Sequence, residues 1–196
     1  MGLFSRTTAL AIAFSLLAVH LLILNDGGAV AAAAPYVDRF NTESYDASEG
    51  KLDWTDSPWT EINDDGEIAF DPETGSLVGI ADDQRHIASG PGKRRGIRRS
   101  ADLTNITNPQ LVFDLNVSEV ADGVALHIET RSQDAADFTT LTTYNTPTKE
   151  RVTLDLTNHT SPKTTIRLLV TGETPDTTFT IDNLRIRGNL TPPPTT

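Results

Sequence analysis

Apolar residues recur at every second position in most segments after residue 34, and this spacing constrains the fold more than any other feature of the sequence. The same period occurs in 110–117, 123–131, 151–157 and 164–170. Shorter strand-like segments lie at 36–40, 67–70, 76–80, 85–89, 96–103 and 137–144. A period of two is typical of β-strands with one buried face. Because turn residues separate the segments, the sequence predicts an all-β protein whose two antiparallel sheets pack as a β-sandwich or jelly roll.

The first 34 residues have the composition of a secretory leader. Arg6 precedes an apolar run of 18 residues at 7–24, and small residues with Ala-x-Ala sites follow in 25–34. This order predicts an N-terminal hydrophobic signal helix, a signal peptide at 1–34, and a protein that is secreted or exposed at the cell surface. The alternative is an uncleaved membrane anchor, because the run is near the length that spans a bilayer. Contact with a membrane is expected only in that case.

The rest of the chain divides into one domain and a tail. Residues 35–188 are predicted to form the β-sandwich domain, which is long enough to bury a substantial core. Residues 189–196 contain three consecutive prolines. Because proline lacks a backbone N–H, this segment is predicted to be a Pro/Thr tail outside the sheets.

The charge and the cysteine content exclude two classes of protein. The formal net charge is −11, and the chain has no cysteine. An acidic surface repels nucleic acid, so no nucleic-acid partner is expected. A disulfide-stabilised domain is also excluded, and an exported domain of this kind must be stabilised by its core or by a metal ion.

Basic residues are concentrated in one segment. Residues 37–83 carry fourteen acids and two bases, whereas residues 84–100 carry six bases and no acid. Lys93, Arg94 and Arg95 are predicted to lie at the tip of a hairpin. They would bind a sulfated or carboxylated polysaccharide there, or they would simply remain solvated.

The segment 178–186 has two apolar stripes of opposite parity. Alternate residues counted from Phe179 and counted back from Ile186 fall on opposite faces of a regular strand. A β-bulge at residues 182–183 would bring both stripes to the core. If Asp182 shares the face of Ile186, it points inward, and a buried carboxylate requires a counterpart. The candidates are calcium, backbone N–H groups, or Arg99, which has core-facing parity; exposure at the surface is the remaining alternative.

The two tryptophans lie five residues apart in an acidic, loop-rich segment. Trp54 and Trp59, together with Tyr45, are candidates for a sugar-binding platform, because pyranose rings stack on exposed aromatic faces. The alternative is burial of tryptophan beneath the loops, which is the more frequent outcome. No catalytic residue is predicted, since the histidines at 86, 127 and 159 lack the spacing of a zinc site.

An ordered set of stretches carries a resemblance to known extracellular modules. The stretches are "DRFNTESY", "LDWTDSPWTEINDDG", "RRSADLTNITNPQLVFDL", "VALHIETRSQDAADFTTL", "RVTLDLTNHTSPKTTIRLLV" and "TFTIDNLRI". The set resembles jelly-roll modules of secreted bacterial and archaeal proteins, which are similar to MAM domains and to calcium-containing carbohydrate-binding modules. The resemblance implies a two-sheet fold, no catalysis, glycan binding or adhesion, and often a structural calcium between the first and last strands.

Carried to this chain, the resemblance implies that Asp38, Asn41 and Asp182 are the calcium ligands. Similar modules often have Glu or Asp where Asn41 stands. An amide oxygen ligates calcium without contributing a charge.

The sequence therefore favours a secreted or cell-surface, non-catalytic module that binds a glycan or an extracellular matrix polymer, with calcium as a candidate structural ion. A structural subunit or a protein–protein adhesion domain is the alternative. A small secreted enzyme that acts on glycans is less favoured, because an abundance of acids does not by itself place two carboxylates across a scissile bond.

Overall fold

Eleven β-strands form the part of the chain that the computed structural model describes, which is residues 34–56, 58–73, 76–90 and 94–191. Residues 1–33 of the predicted leader at 1–34 lie outside these residues. No helix in the described part is long and apolar enough to cross a membrane. The strands are β1 (Tyr36–Asp38), β2 (Thr60–Ile62), β3 (Val78–Ala81), β4 (Gln84–Ala88), β5 (Arg95–Ala101), β6 (Ile106–Val117), β7 (Ala125–Arg131), β8 (Thr139–Tyr144), β9 (Thr148–Asp155), β10 (Thr164–Thr171) and β11 (Thr178–Leu190), with a short 3-10 helix at Thr157–His159.

The strands form two antiparallel sheets that pack as a sandwich. Sheet A has the order β3-β4-β11-β6-β9, and β1 pairs with β11 on the same side as β4. Sheet B has the order β2-β5-β10-β7-β8. Strands β4 to β11 are divided between the sheets in the order of a jelly roll. The predicted all-β, two-sheet fold is therefore confirmed.

The period-two pattern accounts for the core between the sheets. In β6 the predicted inward residues Leu111, Phe113 and Leu115 are buried, whereas Asn116 is exposed. Two strand predictions need correction. The segment 67–70 forms no strand, since only its residue Ala69 makes an isolated bridge. Strand β2 was not predicted, because its three residues are too few to show a period.

A β-bulge in β11 brings both of its apolar stripes to the core, as predicted. Phe179, Ile181, Leu184 and Ile186 are all fully buried. The register of β11 against β6 shifts between Asp182 and Arg185. Residue 183 has a positive φ of 52°, in the left-handed region that asparagine tolerates better than most residues. The extra residue restores the inward parity, so one strand stays in the core over its whole length.

The predicted boundary of the tail is wrong by two residues. Strand β11 continues to Leu190, where Asn189 pairs with Thr107 and Leu190 pairs with Ile106. Thr191 N then donates a hydrogen bond to Asn105 O at 2.8 Å. The residues that lack a backbone N–H are the prolines after residue 191, so the residues before them can still pair within the sheet.

A buried ion pair connects the two sheets inside the sandwich. Asp38 belongs to sheet A and Arg99 to sheet B, and both side chains are 0% exposed. Arg99 Nη1 lies 3.3 Å from Asp38 Oδ2, which also accepts a hydrogen bond from Trp59 Nε1 at 2.7 Å. Phe40 N donates to Oδ1 at 3.0 Å. Burial raises the pKa of Asp38 and lowers the pKa of Arg99 to about 10, but the surrounding donors favour the ionised carboxylate.

Arg99 also holds the long loop that joins β1 to β2. Its Nη1 donates to Ala47 O at 2.7 Å, and its Nε donates to Asp56 O at 3.2 Å. The guanidinium carbon lies 4.9 Å from the ring centroid of Trp54 and 5.8 Å from that of Trp59, within the range of cation–π attraction. One side chain therefore fixes the loop against the core.

We expect Asp38→Asn to lower the free energy of unfolding by about 3–5 kcal/mol, because it leaves a buried guanidinium without its counter-ion. Urea unfolding at neutral pH, followed by tryptophan fluorescence, measures the change. The matched control is Asp114→Asn, which removes a carboxylate from a surface pair and should have little effect. Similar, small losses in both variants would contradict the structural role of the buried pair.

Candidate functional site

The three predicted calcium ligands do not meet in the structure. Asp38 points into the sandwich, where a guanidinium and two N–H donors surround its carboxylate. Asn41 is exposed, and Asp182 is partly exposed on the outer face of sheet A. Calcium requires oxygen ligands, so the donors around Asp38 oppose it. The assignment of these residues to one calcium site is therefore wrong, and a structural calcium stays a prediction without assigned ligands.

Asp182 does not point inward as predicted. It precedes the bulge and therefore keeps the outward parity of Thr180, whereas the inference from Ile186 assumed a regular strand. Arg99, the predicted arginine counterpart, is fully buried, but its partner is Asp38. The predicted need of Asp182 for a buried counterpart is therefore wrong, and the buried carboxylate is that of Asp38 on β1.

Trp54 and Trp59 are core residues. Their exposed fractions are 4% and 2%. Their ring centroids lie 5.8 Å apart, and Trp54 packs against Tyr36 at 5.2 Å. Neither ring offers a face to a ligand, so the sugar platform proposed for the two tryptophans is wrong, and the alternative of burial is confirmed.

Tyr45 lies in an acid-rich loop region and is only partly buried. Its hydroxyl contacts Glu61 and donates to Glu67 O at 2.9 Å. Ligand atoms of Glu61, Asp64 and Asp65 lie within 4.8 Å of one another. Donors of the protein already hold these carboxylates: Gly66 N binds Glu61, and backbone N–H groups of β3 and its preceding residue bind Asp64. Tyr45 lines an open depression of about 480 Å³ beside them, where its predicted role in binding stays untested.

The predicted basic tip is only partly described. Lys93 lies outside the described residues. Arg94 is exposed, and its carbonyl oxygen accepts a hydrogen bond from Asn63 Nδ2 at 2.8 Å. Arg95 has buried Nε and Nη1 atoms and interacts electrostatically with Asp64. Arg95 therefore does not belong to an exposed basic tip, whereas the role of Lys93 and Arg94 stays a prediction.

The outer face of sheet A carries a polar groove of about 310 Å³. Strands β4, β11, β6 and β9 contribute its residues, and none of the lining side chains is aromatic. We call it the sheet A groove. It is lined by Gln84, Asp114, Leu115, Asn116, Lys149, Glu150, Thr180 and Asp182.

The antiparallel register explains why these side chains meet. Asp182 of β11 is the direct partner of Asp114 on β6, and Asp114 is the partner of Arg151 on β9. Two residues away along both strands, Thr180 is the partner of Asn116. Side chains two residues apart share a face, so the outward residues form neighbouring polar rows.

The bulge gathers two acids and an amide into one hydrogen-bonded cluster. Asn183 N donates to Asp182 Oδ1 at 2.6 Å, and Asn183 Nδ2 donates to Asp182 Oδ2 at 2.9 Å and to Asp114 Oδ2 at 3.2 Å. Arg151 forms two hydrogen bonds to Asp114, at 2.7 and 2.9 Å. The two carboxylates are therefore held in fixed positions before any ligand arrives.

The two acids of the cluster are shifted in opposite directions. Burial raises the pKa of Asp182, and the nearby charges of Asp114 and Asp83 raise it further, against the hydrogen bond from Asn183 N. The hydrogen bond from Arg151 lowers the pKa of Asp114. Both shifts leave Asp114 the stronger acid of the pair.

The groove offers hydrogen-bond donors and acceptors at close spacing. Carboxylates accept, the ammonium of Lys149 donates, and the amides of Gln84 and Asn116 do both. A ligand rich in hydroxyl groups matches this arrangement, because each hydroxyl both donates and accepts. The sequence analysis missed Asp114, Asn116 and their neighbours; the signal that points to them is their outward parity within well-predicted strands.

Comparisons with solved structures find carbohydrate-binding modules with a similar fold. The structure of TmCBM61 in complex with beta-1,4-galactotriose is 12% identical, with 77% of this chain and 94% of that chain covered and a TM-score of 0.50. A family 29 carbohydrate-binding module is 18% identical, with 57% and 73% covered and a TM-score of 0.41. A mutant of such a module complexed with mannohexaose is 19% identical, with 57% and 75% covered and a TM-score of 0.42. No family model and no curated protein matches the chain.

The likeness to TmCBM61 shows the fold of a carbohydrate-binding-module-like jelly roll. At such identities the comparisons assign no ligand to this chain. The predicted similarity to MAM domains and the predicted prokaryotic source stay predictions.

We expect tryptophan emission of the folded protein to be poorly quenched by acrylamide, because both tryptophans of the sequence lie in the core. Stern–Volmer plots of the folded and the urea-unfolded protein test this. The unfolded protein should be quenched several-fold more strongly. Equal quenching in the two states would contradict the burial of the rings.

We expect Arg151→Gln to raise the pKa of Asp114, because the hydrogen bond from Arg151 is the leading cause of its low value. NMR titration of the side-chain carboxyl carbons measures the pKa directly. Lys149→Gln is the matched control, since it removes a base from the same strand without removing that bond. An unchanged Asp114 titration in Arg151→Gln would contradict the described pair.

Proposed function

We propose that this protein is a secreted or cell-surface, non-catalytic module that binds a neutral glycan chain in the sheet A groove. The observation that most directly supports this proposal is the cluster at the bulge. There Asn183 fixes the carboxylates of Asp182 and Asp114 beside the amides of Gln84 and Asn116. Acceptors held in place lose little entropy when a ligand binds. A site of this kind distinguishes ligands by the directions in which their hydroxyl groups point.

The charge of the groove favours a neutral ligand over an acidic one. Three of its lining residues, Asp114, Glu150 and Asp182, are acids, and Lys149 is the one base among the lining residues. An acidic sugar would bring its charge next to these carboxylates, at an electrostatic cost. The complex of TmCBM61 with galactotriose supports the general class of ligand, since the two proteins share a fold.

The same cluster favours binding over hydrolysis. A glycosidase needs one carboxyl group to protonate the leaving oxygen and a second one free to act as base or nucleophile. Here Asp114 is engaged by Arg151 and Asn183, and Asp182 is engaged by Asn183. The carboxylates are therefore suited to accept hydrogen bonds from a bound sugar.

A protein-binding role has less support from the surface. The large apolar side chains that are exposed in the described ranges are Ile68 and Leu190, each 38% exposed. Stable protein interfaces are built around a larger apolar patch. The structural-subunit alternative therefore lacks an evident contact surface in the described part of the chain.

A glycan array followed by calorimetry with the best ligand tests the proposal. We expect Asn116→Ala and Asp182→Ala each to weaken binding about ten-fold, which corresponds to one or two lost hydrogen bonds. Thr153→Ala is the matched control, because Thr153 is exposed on β9 of the same sheet and does not line the groove. Its affinity should equal that of the wild type.

Two results would overturn the proposal. One is the absence of any bound neutral glycan on the array. The other is equal affinity of all three variants and the wild type, which would place the ligand elsewhere. Release of reducing sugar from the same ligand would identify an enzyme instead. Repeating the titration with calcium and with a chelator tests whether the predicted ion contributes.

A further inference from the structure

The outer face of sheet B carries a cluster of cations, although the formal net charge of the protein is −11. Arg98 lies on β5, Arg131 on β7 and Arg167 on β10, and Lys163 directly precedes β10. Outward parity brings the three arginines to the same face of the sheet. We call these four residues the sheet B cations.

Two of the sheet B cations are stacked on one aromatic ring. The guanidinium carbon of Arg167 lies 3.6 Å from the ring centroid of Phe138, and that of Arg131 lies 4.7 Å from the same centroid. Arg167 Nε also pairs with Glu129 Oε2 at 2.5 Å. The ring keeps both guanidinium groups oriented, so their free donors have fixed directions.

Arg98 lies beside another arginine and is only partly compensated by an acid. It is exposed, and it is the direct cross-strand partner of Arg167, so two like charges face each other. The ion pairs found in the described ranges do not include Arg98. Asp56, which attracts Arg98, also pairs with Lys163 Nζ at 2.8 Å. An added anion beside Arg98 would relieve this repulsion.

A small pocket beside Arg98 has the donors that an oxyanion requires. Its volume is about 180 Å³, and Asp56 is the one acid among its lining residues. Ser100 Oγ and Thr165 Oγ1 lie 2.9 Å apart at its base, where they share a hydrogen bond. Positive groups and hydroxyls together are typical of sites for sulfate, phosphate and carboxylate. The donors are Arg98, Arg131, Lys163, Thr60, Ser100 and Thr165.

We propose that this pocket binds the sulfate or carboxylate group of an acidic polysaccharide, on the face opposite the sheet A groove. The proposal rests on the function proposed above only in taking the ligand to be a glycan. Arg98 and Arg131 bind the planar or tetrahedral oxyanion through paired N–H groups, and the hydroxyl of Thr60 adds a hydrogen bond. The protein would then engage a neutral segment on one face and a charged substituent on the other.

The overall acidity of the protein does not prevent this contact. At physiological ionic strength the Debye length is about 8 Å, so distant carboxylates are largely screened. Opposite charges in contact inside the pocket are screened much less. The acidic surface therefore disfavours nonspecific adsorption of polyanions. It does not prevent an oxyanion from binding inside the pocket.

Calorimetric titration with dextran sulfate, polygalacturonate and neutral dextran tests the proposal. Neutral dextran is the uncharged control for dextran sulfate. We expect the wild type to bind a charged polymer and to bind dextran far more weakly. Arg98→Gln should weaken the charged interaction about ten-fold, since it removes a cation that lines the pocket. The matched control is Arg187→Gln, which removes the same charge from an exposed position on β11 of sheet A, outside the pocket. Its affinity should stay at the wild-type value.

The identity of the bound polymer shows which oxyanion the pocket takes: dextran sulfate indicates a sulfate ester, and polygalacturonate indicates a carboxylate. Loss of neutral-glycan binding in Asn116→Ala reports on the groove, and loss of charged-polymer binding in Arg98→Gln reports on the pocket, so failure of the groove and failure of the pocket give different results. Binding of neither charged polymer overturns the proposal. Equal losses in Arg98→Gln and Arg187→Gln, or no loss in Arg98→Gln, overturn it as well.

Discussion

The ion pair of Asp38 and Arg99 is the contact on which the rest of the sandwich depends. It joins the first strand of sheet A to the second strand of sheet B without contact with water. The same arginine binds two loop carbonyls and faces the tryptophan rings, so the long loop after β1 folds over the pair. A chain without cysteine thereby gains a specific connection between its sheets, where an unpaired charge would be strongly destabilising.

Burial of the aromatic loop determines where ligands can bind. Because Trp54 and Trp59 are used in the core, the protein has no tryptophan left for a stacking platform on its surface. The polar side chains that project from the two outer sheet faces are the groups on which the proposals above rest. One face presents fixed acids and amides, and the other presents oriented guanidinium groups, so the two faces are suited to ligands of different charge.

Parity arguments predicted the sandwich, most of its strands and the bulge, because each depends on residues that are near in sequence. They failed for Asp182. Its inward orientation was inferred by counting back from Ile186 as if the strand were regular, although a bulge was predicted between the two residues. The partner of Arg99 was also out of reach, because β1 lies 61 positions from it in the chain. Outward positions such as Asp114 and Asn116 carried no apolar signal, and only the register between strands shows that they meet.

The bulge explains why an acid stands beside an amide where the two stripes of β11 meet. A regular strand would turn either Phe179 and Ile181 or Leu184 and Ile186 toward solvent, so an extra residue is needed. Asparagine at 183 tolerates the positive φ, and its amide also binds the carboxylates of Asp182 and Asp114. The bulge that keeps both stripes in the core therefore also positions the polar cluster of the sheet A groove. Burial of the β11 stripes and organisation of the candidate site therefore have one structural cause, since the two stripes cannot both be buried without the bulge that places these side chains.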